Sequence, residues 1–92
     1  MEFQHENNRI YMEDAKGRII AEVTFPAVKE QVVNINHTFV DESLRGQGVA
    51  GKLMEEAAAQ LRKEGKKAVL TCSYALVWFE RNKQYQDIIE KP

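Results

Sequence analysis

The sequence predicts an α+β fold, a small mixed and mainly antiparallel sheet with one strand-helix-strand crossover. Three observations carry this. Two stretches of alternating apolar and polar residues, separated by a short polar turn, precede Pro26. Apolar residues then recur at helical spacing from Val49 to Leu61, and a short apolar run follows at 68–71.

Residues 9–13 set Ile10 and Met12 against Arg9, Tyr11 and Glu13, as a half-buried strand does. Asp14-Ala15-Lys16-Gly17 reads as the turn. Residues 18–25 put Ile19, Ala21, Val23 and Phe25 on one face, and Pro26, lacking an N–H, ends this second strand of a hairpin. Residues 32–40 form the third strand. Val33, Ile35, His37 and Phe39 share one face, so that its apolar side takes in a histidine. Val49, Leu53, Ala57 and Leu61, with Met54 and Ala58 beside them, give an amphipathic helix of about four turns, and Gly65 stands just past its end. Residues 68–71 are a strand parallel to the third, because a helix joins the two. From 73 to about 82, Tyr74, Leu76, Val77, Trp78 and Phe79 make a short helix apolar almost all round, expected to be largely buried; residues 85–89 add one helical turn.

At 92 residues the chain fits a single domain, 1–92, with one core. A formal net charge of −1 provides no basic footprint, which disfavours nucleic acid as a partner. Cys72 is the only cysteine, so no intramolecular disulfide forms, and the start Met1-Glu2-Phe3-Gln4-His5-Glu6 has neither a basic nor an apolar leader segment. Both suit a cytoplasmic location. No apolar run approaches the roughly 20 residues that span a bilayer, so no membrane association is expected.

The densest motif is Arg45-Gly46-Gln47-Gly48-Val49-Ala50-Gly51-Lys52, a glycine-rich loop running from a strand into a helix. Glycines let backbone approach a ligand, and the N–H groups opening a helix attract anions, here helped by Arg45 and Lys52. Gly46 to Gly51 also fits G-x-G-x-x-G, the dinucleotide fingerprint. That fold needs the loop directly after its first strand and an acidic residue about 20 positions on. Asp41 to Arg45 intervene, and residues 66–77 hold no carboxylate. A P-loop is excluded, since no Gly-Lys-Ser/Thr stands at the required spacing.

Arg45-x-x-Gly48-x-Ala50 resembles instead the R/Q-x-x-G-x-G/A signature of the GNAT superfamily of acyl-CoA N-acyltransferases. The resemblance covers most of the chain and is nearest to compact single-domain members with His-Thr before the loop and Thr-Cys-x-Tyr after the next strand, here His37-Thr38 and Thr71-Cys72-Ser73-Tyr74. It implies a reduced GNAT-like fold. It also implies a coenzyme A cradle formed by Arg45, Gly46, Gln47, Gly48, Val49, Ala50, Gly51 and Lys52, with the thioester carbonyl met by backbone N–H groups near Phe39 and Val40. The activity implied is transfer of an acetyl group from acetyl-CoA to an amine, of a small molecule or a protein, by a monomer or a homodimer. The alternatives from other classes are a non-catalytic acyl-CoA binder and a purely structural domain. Larger members carry an extra helix pair and strand pair that shape the acceptor pocket, for which this chain has no room. Compact relatives often place an acidic residue after His-Thr, where this chain has Phe39.

Acyl transfer to an amine needs a base, donors for the oxyanion and a route for the leaving thiolate. His37 has the right intrinsic basicity for the first role, and its other reading is a core histidine satisfied by backbone. Asp41 and Glu42 are alternative bases or plain solvated surface. Cys72 opens a helix, where the dipole favours a thiolate. It reads as an acyl carrier, as a thiol beside the pantetheine arm, or as a small buried hydrophobe. Tyr74 is the candidate donor to the leaving thiolate, as in many members of the resembled family, or part of an aromatic stripe with Trp78 and Tyr85. Ser73 is expected to cap the short helix.

Overall fold

Seven strands and two helices make up the described part of the chain, residues 2–90 of a computed structural model; Met1, Lys91 and Pro92 lie outside it. In order they are β1 (Gln4–Glu6), β2 (Arg9–Glu13), β3 (Ile19–Thr24), β4 (Ala27–Lys29), β5 (Val32–Ile35), β6 (His37–Val40), α1 (Val49–Glu64), β7 (Lys67–Leu70) and α2 (Ser73–Arg81). Single 3₁₀ segments at Glu42–Leu44 and Lys83–Ile88 complete the chain. Two sheets result, a four-stranded antiparallel one ordered β1-β2-β3-β6 and a three-stranded one ordered β4-β5-β7. The α+β expectation is met, including the parallel pairing of β5 with β7 across α1.

The β2-β3 hairpin closes where Asp14 Oδ1 accepts from the N–H groups of Lys16 (2.9 Å) and Arg18 (3.0 Å), with Gly17 at φ 79°. These hydrogen bonds, Arg18's first and Lys16's second, hold the Asp14 carboxyl below its ordinary value. A register shift between Met12 and Glu13 opposes Glu13 to Ile19, and Ile20 is thereby free to turn inward and be buried.

α1 lays Val49, Leu53, Met54, Ala57, Ala58 and Leu61 against β2, β3 and β6. Ala57 and Ala58 keep that surface low, so the helix approaches the sheet closely. The core it closes includes the fully buried Ile10, Val23, Phe25, Val33, Ile35 and Phe79. Each such side chain contributes roughly 1.5–3 kcal/mol through burial. The helix ends at Gly65, whose φ of 70° is left-handed and whose N–H reaches the carbonyls of Arg62 and Leu61.

Three expectations are corrected. The stretch 32–40 is two strands in two sheets, with β5 paired to β4 and β7 and β6 paired to β3. The break falls at Asn36, whose N–H donates to Thr24 O (3.2 Å) and whose Oδ1 accepts from Thr24 Oγ1 (2.6 Å). Beyond it the alternation slips by one residue, which sends the odd-numbered side chains to the opposite face. His37 therefore lies on the outer surface with 56% of its side chain exposed, not on an apolar face. The short helix α2 is only half-buried. Ala75 and Phe79 face the core, whereas Leu76 (50%) and Val77 (49%) face out. Finally, Cys72 and not Ser73 occupies the N-cap of α2, and no side chain caps that helix.

Candidate functional site

The two sheets share one continuous stretch of backbone and then part. Within the three-stranded sheet, Ile35 O accepts from the N–H groups of both Thr71 (3.2 Å) and Cys72 (3.1 Å), where the β5-β7 pairing ends. Past this point β6 runs on with β3 while the chain after β7 turns into α2, so a wedge opens between the two. Across it, Thr38 Oγ1 and Cys72 Sγ lie 3.4 Å apart, a hydrogen bond in which either atom can donate. Because Asp41 N–H donates to Ile20 O (2.8 Å), alternation along β6 turns Phe39 N–H toward β3 and Val40 N–H toward the wedge.

The glycine loop lies at the far end of β6. Asp41 caps the 3₁₀ turn, its Oδ2 accepting from the Ser43 hydroxyl (2.6 Å) and amide (3.0 Å). The hydroxyl bond first, then the amide bond, holds the Asp41 carboxyl below its ordinary value. Leu44 anchors the turn in the core, while Arg45, Gly46, Gln47 and Gly48 are exposed. Gly46 (φ 81°) and Gly48 (φ 71°) are both left-handed, and nothing stands within 4 Å of where a β-carbon would be at either. The cradle is thus open.

The N-terminus of α1 points into it. Gly48 is the N-cap, no side chain caps the helix, and its first turn has no acidic residue and instead carries Lys52. A lysine there opposes the helix dipole, an arrangement an anion would reverse. Loop and helix start fit a phosphate group in shape, in free N–H donors and in charge. Arg45 faces Glu42 at 3.7 Å with both side chains exposed.

The sequence-predicted residues divide into groups. Thr38 and Cys72 meet directly, and Tyr74 stands on the first turn of α2 with its hydroxyl 3.8 Å from a β-carbon position on Gly51. Burial raises the Tyr74 phenol above its ordinary value, so it keeps its proton through neutral pH. His37 stands apart from these on the outer face of β6, where its neighbour is Glu22 (Nε2–Oε1 4.0 Å), itself held by Arg9. Glu22 and Trp78 also border these residues, beside His37 and Gly51 respectively, and are not among the sequence-predicted residues. Glu22 gives no signal beyond its place in an alternating strand. Trp78 had one, since Gly51 interrupts a helical pattern at a cost of about 1 kcal/mol relative to alanine, which points to a close neighbour. That neighbour is Trp78, with Nε1 3.4 Å from the β-carbon position.

A splayed pair of sheets with an open glycine loop and an uncapped helix start at the mouth of the wedge defines an α+β domain with room for an anionic ligand, and comparison with known proteins gives its family. Residues 9–88 match the family description of the GCN5-related N-acetyl-transferases. A GCN5-like protein of Staphylococcus aureus, solved in solution by NMR, is 32% identical over 99% of this chain and 89% of its own, with a TM-score of 0.81. A GNAT family N-acetyltransferase from Escherichia coli in complex with CoA is 29% identical over 67% of this chain, with a TM-score of 0.59. The ribosomal-protein-S18-alanine N-acetyltransferase of Escherichia coli shares the fold over 86% of this chain at 20% identity, with a TM-score of 0.65. This chain spans 38% of the first Escherichia coli protein and 54% of the second. A search of curated proteins returns no match. The chain belongs to the GCN5-related N-acetyltransferase family.

Proposed function

We propose that this protein is an acetyl-CoA-dependent N-acetyltransferase of the compact, single-domain kind carrying the His-Thr, R-x-x-G-x-G/A and Thr-Cys-x-Tyr motifs. The observation that carries the proposal is the uncapped N-terminus of α1 behind two left-handed, unobstructed glycines, opening onto the wedge that holds Cys72. Residues 45–52 would hold the pyrophosphate of coenzyme A through loop amides, Arg45 and Lys52. The pantetheine arm would run along the wedge between β6 and the start of α2. The E. coli relative solved in complex with CoA supports this choice of ligand.

The chemistry asked of the chain is modest. The amine nitrogen forms a bond to the thioester carbonyl carbon, the carbon–sulfur bond breaks, and the amine's proton and the departing thiolate must both be managed. Val40 N–H, on the wedge side of β6, would donate to the developing oxyanion, with Phe39 flanking it. Tyr74, protonated at neutral pH, would deliver a proton to the thiolate. His37, on the solvent side of β6 beside Glu22, would take the proton from an amine arriving over that face. Cys72, hydrogen-bonded to Thr38, would either carry the acetyl group or line the pantetheine arm. The acceptor is a small-molecule or protein amine, the working unit a monomer or homodimer, and the location cytoplasmic. Among the described residues no helix is long and apolar enough to cross a membrane.

Calorimetric titration with acetyl-CoA tests the ligand assignment. Binding that saturates below millimolar concentration is expected, and no heat at millimolar ligand removes the proposal. Turnover by Cys72→Ser then decides the role of the thiol. Loss of thioester turnover with retained CoA affinity marks an acyl carrier, whereas full turnover leaves Cys72 as a wall of the site.

A further inference from the structure

α2 turns two polar side-chain atoms toward the first turn of α1. Trp78 Nε1 and Tyr74 Oη lie 3.4 and 3.8 Å from the β-carbon position of Gly51. The Trp78 ring is fixed by apolar neighbours, edge-on to Phe79 at 4.9 Å and stacked on Tyr85 at 5.3 Å. Its backbone is fixed separately, Trp78 O accepting from the side chain and the main-chain N–H of Asn82. None of these interactions uses the indole N–H. Among the described residues no buried polar side-chain atom lacks a partner, so this unpaired donor is reachable from solvent. A solvent-reachable indole N–H held at a helix start is free to donate to a ligand oxygen that arrives there. A β-carbon at position 51 would stand in ordinary van der Waals contact with both atoms, so the two side chains lie directly against the helix start.

We infer that Trp78 is a cofactor-positioning residue whose indole N–H donates to an oxygen of the phosphate-bearing ligand at the first turn of α1. The inference rests on the reading of residues 45–52 as a coenzyme A cradle. It adds to the loop amides a side-chain donor from α2, so that the ligand would tie the start of α1 to α2.

Trp78 is the only tryptophan of the chain, so its indole gives a single N–H resonance and its fluorescence is unmixed. On titration of the intact protein with CoA, that resonance is expected to move and the fluorescence to change with the same midpoint as the calorimetric signal. Trp78→Phe keeps an aromatic ring and removes the donor. Its affinity for CoA should fall about tenfold, the loss expected for one hydrogen bond to a charged acceptor. CoA binding with an unmoved indole resonance overturns the inference and leaves the cradle standing. Affinity of a folded Trp78→Phe chain within about twofold of the native value does the same. Should the variant fail to fold, the native indole resonance decides alone. Absence of any CoA binding overturns both readings together.

Discussion

Replacing Gly48 by alanine and by glutamate separates the backbone demand of the loop from its charge demand. Gly48 has φ 71° and ψ 21°, with open space where a β-carbon would go. Either substitution therefore meets no clash and incurs only the left-handed conformational penalty, about 1–2 kcal/mol. Glutamate recovers about 0.3–1 kcal/mol, because its carboxylate sits at the positive end of α1. Gly48→Glu should thus melt no lower than Gly48→Ala, the alanine variant about 4–16 °C and the glutamate variant about 0–14 °C below the native chain at the usual 4–8 °C per kcal/mol for a domain of this size. Binding should run the other way. A carboxylate about 4 Å from a bound phosphate at an effective dielectric of about 20 costs roughly 4 kcal/mol per charge pair. Allowing for solvent screening at this exposed loop, Gly48→Glu should lose at least about a hundredfold in CoA affinity, with the loss shrinking as salt rises. Gly48→Ala should lose far less. Thermal melts followed by circular dichroism and calorimetric titration at two salt concentrations read both quantities. Equal affinity losses in the two variants, or a loss by Gly48→Glu insensitive to salt, would refute the assignment of an anion to this cradle.

Two further outcomes test the packing and the electrostatics. Leu53→Ala, at a fully buried position on α1, should cost about 2–5 kcal/mol, whereas Leu76→Ala on the exposed side of α2 should stay within about 0.5 kcal/mol. Chemical denaturation compares them, and a Leu76 effect matching that of Leu53 would mean α2 is turned the wrong way. Asp87 pairs with Arg62 (Oδ2–Nε 2.8 Å), and that hydrogen bond holds its carboxyl below the ordinary aspartate value. A depressed folded value means the pair stabilises the protein above the unfolded pKa of about 3.9, and the contribution is lost as pH falls through the folded value. Asp87→Asn should accordingly be less stable than the native chain near pH 6, with the difference narrowing as pH falls below the unfolded value of about 3.9, as read from urea midpoints. A gap that widens on acidification would contradict the sign.

Much of this was legible in the sequence because local chemistry and tertiary packing agree. The Asp14-Gly17 turn, the apolar stripe of α1 and the left-handed Gly65 each need only near neighbours to specify them. The break at Asn36 was not legible. The apolar alternation of Val33 and Ile35 continues through His37 and Phe39 in sequence, and only pairing of β6 with β3 instead of β7 reveals the slip. That slip decides the site, since it moves His37 to the solvent face and Thr38 to the cysteine. Nor could the sequence orient α2. An apolar helix reads as buried whichever side is covered, and here only Ala75 and Phe79 are. The edge strands β1 and β4, three exposed residues each, carry no periodic signal. Of the glycine loop, by contrast, the sequence marked the left-handed turns that Gly46 and Gly48 adopt ahead of α1.

Amine-dependent release of thiol from acetyl-CoA tests the central claim most directly. The purified protein is incubated with acetyl-CoA and a panel of small amines, polyamines and lysine-containing peptides, and free thiol is followed together with the mass of each acceptor. At least one acceptor should release thiol in step with its gain of a single acetyl group, and Gly48→Glu should abolish both signals. No acceptor-dependent release anywhere in the panel, from a protein that binds acetyl-CoA, would contradict the enzymatic reading and leave a coenzyme A binder in its place.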